Sequence, residues 1–174
     1  MDLRQALKAQ YHAALEMLRQ TIDRCPDDLW TAGGHPSQYW QIAYHALFFT
    51  HLYLQPDEQA FHPWEHHREE YQFLEQVPWP PHNPPRLGNP YAKADILTYW
   101  RICDEMIDAG VDALDLDAPT CGFWWYKMPK LDHQLMNNRH IQHHVGQLDD
   151  RLRIAGGEIG WVGGQGGAPN RRTE

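Results

Sequence analysis

The chain has 174 residues, of which 42% are hydrophobic and 22% charged. This composition suits one folded domain with a hydrophobic core and excludes a disordered or collagen-like chain. Fifteen Lys and Arg against 23 Asp and Glu give a formal net charge of −8, so the overall field repels phosphate backbones and anionic membrane surfaces. We therefore expect neither a nucleic-acid nor a membrane partner.

The cysteines point to a reducing compartment. Cys25, Cys103 and Cys121 are odd in number, widely spaced and outside any CxxC pair, which argues against a disulfide framework and a cysteine-built zinc site. No run approaches the roughly 20 apolar residues of a membrane span, and the amphipathic N-terminus lacks the apolar core of a signal peptide. We expect a cytoplasmic protein.

Four long amphipathic segments follow in chain order. Residues 2–24 carry apolar side chains at three- and four-residue steps, with Asp2 as the N-cap. A second helix is predicted from Pro36, as the first helical residue, to Leu54. A third is predicted from Pro90 along one apolar stripe to Leu114, and a fourth runs from Pro129 to about residue 155.

Two segments interrupt this pattern. Residues 55–89 lose the helical periodicity and are rich in proline, and only residues 64–76 of this insertion are a candidate helix. Residues 156–174 form a glycine-rich tail, which by composition suggests flexibility. With no strand or fixed-period repeat in the sequence, we predict an all-α four-helix bundle over residues 1–155.

Histidine is the residue that stands out, with twelve in the chain. His140 and His144 lie about 40° apart on one face of the predicted fourth helix, one turn from each other, so the two imidazoles can share a metal ion. His143 points away from that helix's apolar stripe, and we expect it to face water. An isolated HxxxH pair also occurs on ordinary solvated helix faces.

A third metal ligand is needed, because catalytic zinc sites usually combine three protein ligands with one open position. We choose His45, which lies among the apolar residues of the second helix, where an unpaired imidazole carries a desolvation cost. A single histidine in such a place is more often a hydrogen-bonded core residue. The combination with the HxxxH pair is what favours a metal site, and the interior of a bundle lets the three meet.

Other chemical motifs do not fit. The chain has no Glu-x-x-His pair of the di-iron bundles, no HExxH, no GxSxG and no phosphate-binding loop. The acidic residues 112–117 lack the glycine and the distal glutamate of a calcium loop. These absences exclude the corresponding motif-based active sites.

The remaining histidines are expected to be solvated side chains, since loops lie on the surface by default. This group comprises His12, His35, His51, His62, His66, His67, His82 and His133. Four aromatic residues are candidates for the wall of a substrate pocket, although those before the fourth helix are equally expected in the core at the bundle end. They are Tyr44, Trp124, Trp125 and Tyr126.

The sequence resembles the DinB-like, or YfiT-like, superfamily of metal-dependent enzymes over most of its length. The resemblance is carried by Trp40-Gln41-Ile42-Ala43-Tyr44-His45 and by Arg139-His140-Ile141-Gln142-His143-His144-Val145-Gly146-Gln147-Leu148. The single histidine of the family's second helix falls on His45, and its HxxxH pair falls on His140 and His144. The insertion and the glycine-rich tail depart from the family pattern.

This resemblance implies an up-down-down-up bundle, a divalent ion held by three histidines, usually zinc or nickel, and often a homodimer. Relatives include transferases that use low-molecular-weight thiols, and hydrolases. Three neutral imidazoles leave the full charge on the ion, so a bound water or thiol loses its proton near neutral pH and becomes a nucleophile. We expect a small-molecule substrate and assign no general base.

Two other functions are compatible with the sequence. A non-catalytic interaction bundle would recognise a partner through the aromatic surface near Trp124 and through the insertion. A metal-storage or sensing protein would use the loop histidines His62, His66 and His67, and would hold more than one ion per chain.

Overall fold

A computed structural model describes residues 2–164, and this part of the chain is all-helical, as predicted. No helix within the described range is long and apolar enough to cross a membrane. The helices are α1 (Leu3–Arg24), α2 (Asp27–Trp30), α3 (Tyr39–Tyr53), α4 (Lys93–Glu105), α5 (Ile107–Ala113) and α6 (Lys130–Ile154).

Helices α1 and α6 agree with the predicted segments. Asp2 caps α1 by accepting a hydrogen bond from the Gln5 backbone N–H at 3.1 Å. Pro129 precedes the first residue of α6, and the helix ends at Ile154, before the left-handed Gly156.

Helix α3 begins three residues later than predicted. The predicted start, Pro36, lies outside the helix because Gln38 is the N-cap: its backbone N–H donates to Gln41 Oε1 at 2.7 Å. The Ser37 carbonyl instead accepts a hydrogen bond from Arg151 of α6 at 2.8 Å, which fixes the entry to α3. The short helix α2 was not predicted.

The predicted third helix is wrong at its start and is divided in two. Helix α4 begins at Lys93, because the Asp95 side chain accepts a hydrogen bond from the Ala92 N–H at 3.2 Å and caps the chain there. At Met106 the backbone ψ of −13° departs from the helical value, and α5 follows. Ile107 and Val111 of α5 are fully buried.

Helices α1 and α3 both pack against α6, and both also pack against α4. The buried side chains of α3 and α6 therefore meet in the interior of the molecule. Ile141, Val145 and Leu148 form the apolar stripe of α6 and are at most 2% exposed. His140 and His144 lie on the neighbouring face of the same helix.

The insertion contains no helix, so the candidate helix over residues 64–76 is wrong. Glu70 and Glu75 adopt positive φ values of 71° and 57°, which a right-handed helix excludes. Tertiary packing replaces helical hydrogen bonding: Trp64 and Tyr71 are buried, and the Trp64 ring stacks on Tyr99 at 4.8 Å. The insertion is thus part of the packed body.

The described part of the tail is also attached to the body. The Glu158 carbonyl accepts a hydrogen bond from Arg24 at 2.6 Å, and the Gly160 N–H donates to Gln20 Oε1 at 2.8 Å. Val162 is 8% exposed. The flexibility predicted for residues 165–174 lies outside the described residues.

Candidate metal centre

Three histidine side chains converge between α3 and α6. His140 and His144 project from successive turns of α6, and His45 reaches them from the middle of α3. The His140 Nε2 atom lies 3.0 Å from His45 Nε2 and 2.9 Å from His144 Nε2. Within residues 2–164 this is the one group of three or more potential ligands whose donor atoms all lie within 4.8 Å of one another.

The tautomer of His45 is set by the insertion. Its Nδ1 atom lies 2.6 Å from the backbone carbonyl oxygen of Gln72. A carbonyl oxygen can only accept, so Nδ1 carries the hydrogen. In a neutral imidazole the Nε2 atom is then an unprotonated lone pair, and it faces His140.

His144 has the same arrangement through a side chain. Its Nδ1 atom donates to Gln147 Oε1 at 2.8 Å, one turn further along α6. The Nε2 atom of His144 is therefore also unprotonated. Metal-bound histidines characteristically donate their second ring N–H to an oxygen atom, which fixes both tautomer and ring orientation.

This arrangement is incomplete without a positive centre. Two bare Nε2 lone pairs face the Nε2 atom of His140, which can carry at most one hydrogen and so satisfy only one of them. A divalent ion between the three nitrogens satisfies all of them. For Zn–N bonds of about 2.0–2.1 Å a tetrahedral site separates its nitrogens by about 3.3 Å, within a few tenths of an ångström of the two distances from His140 Nε2 to His45 Nε2 and His144 Nε2.

Electrostatics keep the three rings neutral, the form that binds metal. Burial, followed by the proximity of His144 and His140, holds the pKa of His45 well below its ordinary value. Burial and then the neighbouring His144 and His143 lower the pKa of His140 to about 3. Burial lowers the pKa of His144 to about 4, partly opposed by the hydrogen bond to Gln147.

The site is half-buried and borders an aromatic side chain. The Phe49 ring lies 4.7 Å from the His45 ring and 5.8 Å from the His140 ring, measured between centroids. His144 is 5% exposed, whereas His45 and His140 retain partial exposure. Three protein nitrogens leave a fourth tetrahedral position for water or substrate.

The four residues predicted to line a substrate pocket differ in burial and contacts. Tyr44 is fully buried, and its hydroxyl is hydrogen-bonded to His67 Nδ1 at 2.7 Å. Trp124 is 79% exposed. Trp125 packs on Phe123, and Tyr126 lies 5.5 Å from the His133 ring, near the start of α6. A role in binding substrate stays a prediction for these four.

Five of the other histidines agree with their predicted surroundings, and four do not. His143 is exposed, as expected, and so are His35, His62, His66 and His82. His133 is fully buried, contrary to the prediction, because the rings of Tyr53, Phe123 and Tyr126 enclose it. His51, His67 and His12 are half-buried and hydrogen-bonded rather than solvated.

Two residues that orient the ligands were missed by the sequence reasoning. Gln147 follows His144 by three residues, so its place on the same helix face was available from the sequence. Gln72 acts through its backbone carbonyl, and no side-chain pattern announces such a contact. Of these two orienting residues, only Gln147 on α6 could therefore have been predicted from the sequence.

Comparison with known proteins adds no assignment: no family model, curated protein or solved structure matches this chain. Its function must be argued from the three-histidine geometry.

Proposed function

We propose that this chain is a DinB-like metalloprotein that binds one divalent ion through His45, His140 and His144. The proposal includes the finer architecture predicted above, an up-down-down-up four-helix bundle. The all-helical fold and the packing of α3 and α4 around α1 and α6 are consistent with it.

One observation carries the proposal. Three neutral imidazoles from two helices direct their Nε2 atoms at one another, and two of them have the opposite nitrogen fixed by an oxygen acceptor. Core histidines that serve only packing use their lone pairs to accept from donors. Convergence of lone pairs is instead the arrangement that a cation requires.

The chemistry follows from the charge of the ligand set. Three neutral ligands leave a net charge of 2+ on the ion, which lowers the pKa of a water or thiol in the open position. This supports thiol transfer or hydrolysis on a small-molecule substrate. Zinc and nickel both accept imidazole ligands, so the native ion follows from availability in the cell as well as from the site. We propose a homodimer on the resemblance alone.

The test is metal content of the untagged protein, purified without chelator and measured by mass spectrometry. We expect about one zinc or nickel per chain, and its loss in His140→Ala. His143→Ala is the matched control, since His143 is exposed and belongs to the same helical segment. Circular dichroism verifies that both variants fold. A wild-type protein that neither holds nor takes up metal would overturn the proposal.

A second function, an interaction bundle without catalysis, is favoured by exposed aromatic residues. Trp124 is 79% exposed and Trp161 is 69% exposed. Large exposed apolar side chains are typical of binding surfaces when they form a patch. This alternative predicts self-association or partner binding that is indifferent to metal and weakened by Trp124→Ser.

A further inference from the structure

The insertion makes a direct contact with the metal centre. The Gln72 carbonyl oxygen, 27 residues beyond His45 in the chain, accepts the hydrogen of His45 Nδ1 at 2.6 Å. His140 and His144 belong to one helix, which sets their relative positions. His45 comes from a different helix, and its ring orientation depends on an oxygen supplied by the insertion.

The backbone that presents Gln72 is held in an unfavourable conformation. Glu70 has a φ of 71°, in the left-handed region that a residue with a side chain rarely adopts. The Phe73 N–H donates to the Glu70 carbonyl at 3.0 Å, which closes a tight turn around Gln72. Such a turn persists only when surrounding contacts fix it.

The contacts that fix this turn are made by the Glu70 side chain. Its side chain is 6% exposed and accepts hydrogen bonds from Arg86 at the backbone N (2.6 Å), Nε (3.0 Å) and Nη2 (2.6 Å). A buried carboxylate needs such charge-assisted partners, and a two-pronged guanidinium contact is geometrically demanding. These hydrogen bonds, and then the charge of Arg86, hold the pKa of Glu70 below its usual range, so it is ionised at neutral pH.

Further hydrogen bonds anchor both flanks of the turn. On one side the Tyr44 hydroxyl is hydrogen-bonded to His67 Nδ1 at 2.7 Å, which ties the insertion to α3. On the other side the Tyr71 hydroxyl accepts from the Gly88 N–H at 2.7 Å. The Glu70–Arg86 ion pair joins these two anchored segments, since its two residues lie 16 positions apart in the chain. The carbonyl of Gln72 is therefore placed by interactions inside the insertion and by its anchor on α3.

We propose that the insertion is the outer layer of the metal centre: the Gln72 carbonyl orients His45, and the Glu70–Arg86 ion pair holds that carbonyl in position. Glu70 and Arg86 are then positioning residues that act on the ion through Gln72 and His45. This inference rests on the proposed three-histidine site and deepens it, because it makes metal affinity depend on a segment that supplies no ligand.

The first test measures metal affinity of the full-length protein with Arg86→Met and Glu70→Gln. Zinc is titrated against a chromophoric chelator. We expect each variant to bind zinc about 10-fold more weakly than wild type, in the range for loss of an outer contact to a metal-bound histidine. Arg86→Lys keeps the charge but not the two-pronged contact, and should give an intermediate value.

Lys8→Met is the matched control. It breaks an ion pair of similar length, the 2.7 Å contact between Lys8 and Asp112 that joins α1 to the residues of α5, away from the insertion. Its zinc affinity should equal that of wild type. Equal affinities for wild type, Arg86→Met and Glu70→Gln, with folding verified by circular dichroism, would overturn the inference while leaving the metal site intact.

The second test reads the His45 ring directly in metal-free protein. Long-range ¹H–¹⁵N spectra distinguish the two neutral tautomers of an imidazole. We expect His45 of the wild type to carry its hydrogen on Nδ1, and Arg86→Met to mix the two forms. An unchanged tautomer in Arg86→Met would contradict the inference. A wild-type protein that binds no zinc would overturn the proposed function instead, and the tautomer measurement would still decide whether the insertion orients His45.

Discussion

Electron-rich atoms converge at two places along α6, and among the residues that the structure describes only the first of these contains a positively charged side chain. At its first residue the Lys130 ammonium donates to the carbonyl oxygens of Pro56 at 2.7 Å, Gln55 at 3.4 Å and Cys121. Three turns later, three imidazole nitrogens converge. The hydrogen bonds of residues 2–164 bring no Lys or Arg nitrogen to those three Nε2 atoms.

At the start of α6 the positive charge belongs to a side chain of the protein, Lys130. The three-histidine cluster instead has the geometry of a site for an exchangeable ion. Burial alone does not make this distinction. His133 is fully buried, deeper than His140, and yet its ring is enclosed by aromatic side chains rather than by other metal-ligating groups. A candidate metal site is therefore distinguished by the convergence of imidazole nitrogens whose tautomers are fixed, and not by the burial of a histidine as such.

The largest expected effect is stabilisation by metal at the second place. An ion present at 1,000 times its dissociation constant stabilises the folded state by about 4 kcal/mol, since it binds the native site. For a chain of this size that corresponds to a rise in Tm of about 8–16 °C. Calorimetry with and without zinc should show this rise for wild type and no rise for His45→Ala.

The matched control is His133→Phe, which removes a buried histidine from the same helix without touching the three ligands. It should keep the full metal-dependent rise in Tm. If His133→Phe lost that rise and His45→Ala kept it, the metal would bind at His133 and not at the three-histidine cluster.

The next effect concerns the built-in cation. Lys130 is 4% exposed, and Lys130→Met would leave three carbonyl oxygens at the start of α6 without their charged donor. Because hydrogen bonds from a charged donor are stronger than neutral ones, we expect the free energy of unfolding to fall by about 3 kcal/mol in urea denaturation. Lys127→Met, at an exposed neighbour, should change it by less than about 0.5 kcal/mol.

The sequence predicted much of what lies on α6 and little of the contacts that other segments make with it. The i,i+4 spacing of His140 and His144 and the apolar setting of His45 predicted which three residues meet. Periodicity also gave good bounds for α1 and α6. These features are local, since they depend on residues within one or two turns of the same helix.

What the sequence did not reveal depends on contacts between distant segments. The burial of Lys130 comes from carbonyl oxygens of residues 55, 56 and 121, and the burial of His133 comes from three rings on two segments, α3 and the residues before α6. Proline content correctly excluded regular structure from most of the insertion. It did not predict that the Gln72 carbonyl reaches His45, because a backbone atom has no sequence signature.

A smaller effect is the pH dependence that His133 adds to stability. Burial, and then the nearby Lys130 charge, lower its pKa to about 4, against about 6.5 in an unfolded chain. Between these values the unfolded chain binds the proton and the folded chain does not, so stability is complete above pH 6.5 and falls as pH decreases towards 4. The contribution is at most about 1.4 kcal/mol between pH 6 and pH 5.

The measurement is urea denaturation of wild type and His133→Phe at both pH values. The other buried histidines titrate in both proteins, so their contributions cancel in the difference. Wild type should lose more stability than the variant on acidification. Equal losses would mean that His133 is protonated in the folded protein, and hence that a hydrogen-bond acceptor reaches its ring.

The smallest expected effect on stability comes from two buried amide side chains of α6, between Lys130 and the three-histidine cluster, of which only one is hydrogen-bonded in the described part of the chain. Asn137 is fully buried, and neither polar atom of its side chain has a hydrogen-bond partner. Gln134 is equally buried, but its carboxamide accepts from the Tyr11 hydroxyl at 2.9 Å and donates to the Tyr53 carbonyl at 2.8 Å. Leucine is similar in size to both side chains, so the two substitutions differ mainly in the hydrogen bonds they remove.

Asn137→Leu should therefore raise the free energy of unfolding by about 1 kcal/mol, because it removes a buried polar group that gains nothing from the protein. Gln134→Leu should lower it by about 1 kcal/mol, because it leaves the Tyr53 carbonyl without its donor, whereas the Tyr11 hydroxyl keeps its hydrogen bond to the backbone carbonyl of residue 134 at 3.1 Å. Zinc affinity should be unchanged in Asn137→Leu. If that variant were instead destabilised by 1 kcal/mol or more, Asn137 would be hydrogen-bonded in solution, either to the Tyr11 hydroxyl or to a buried water.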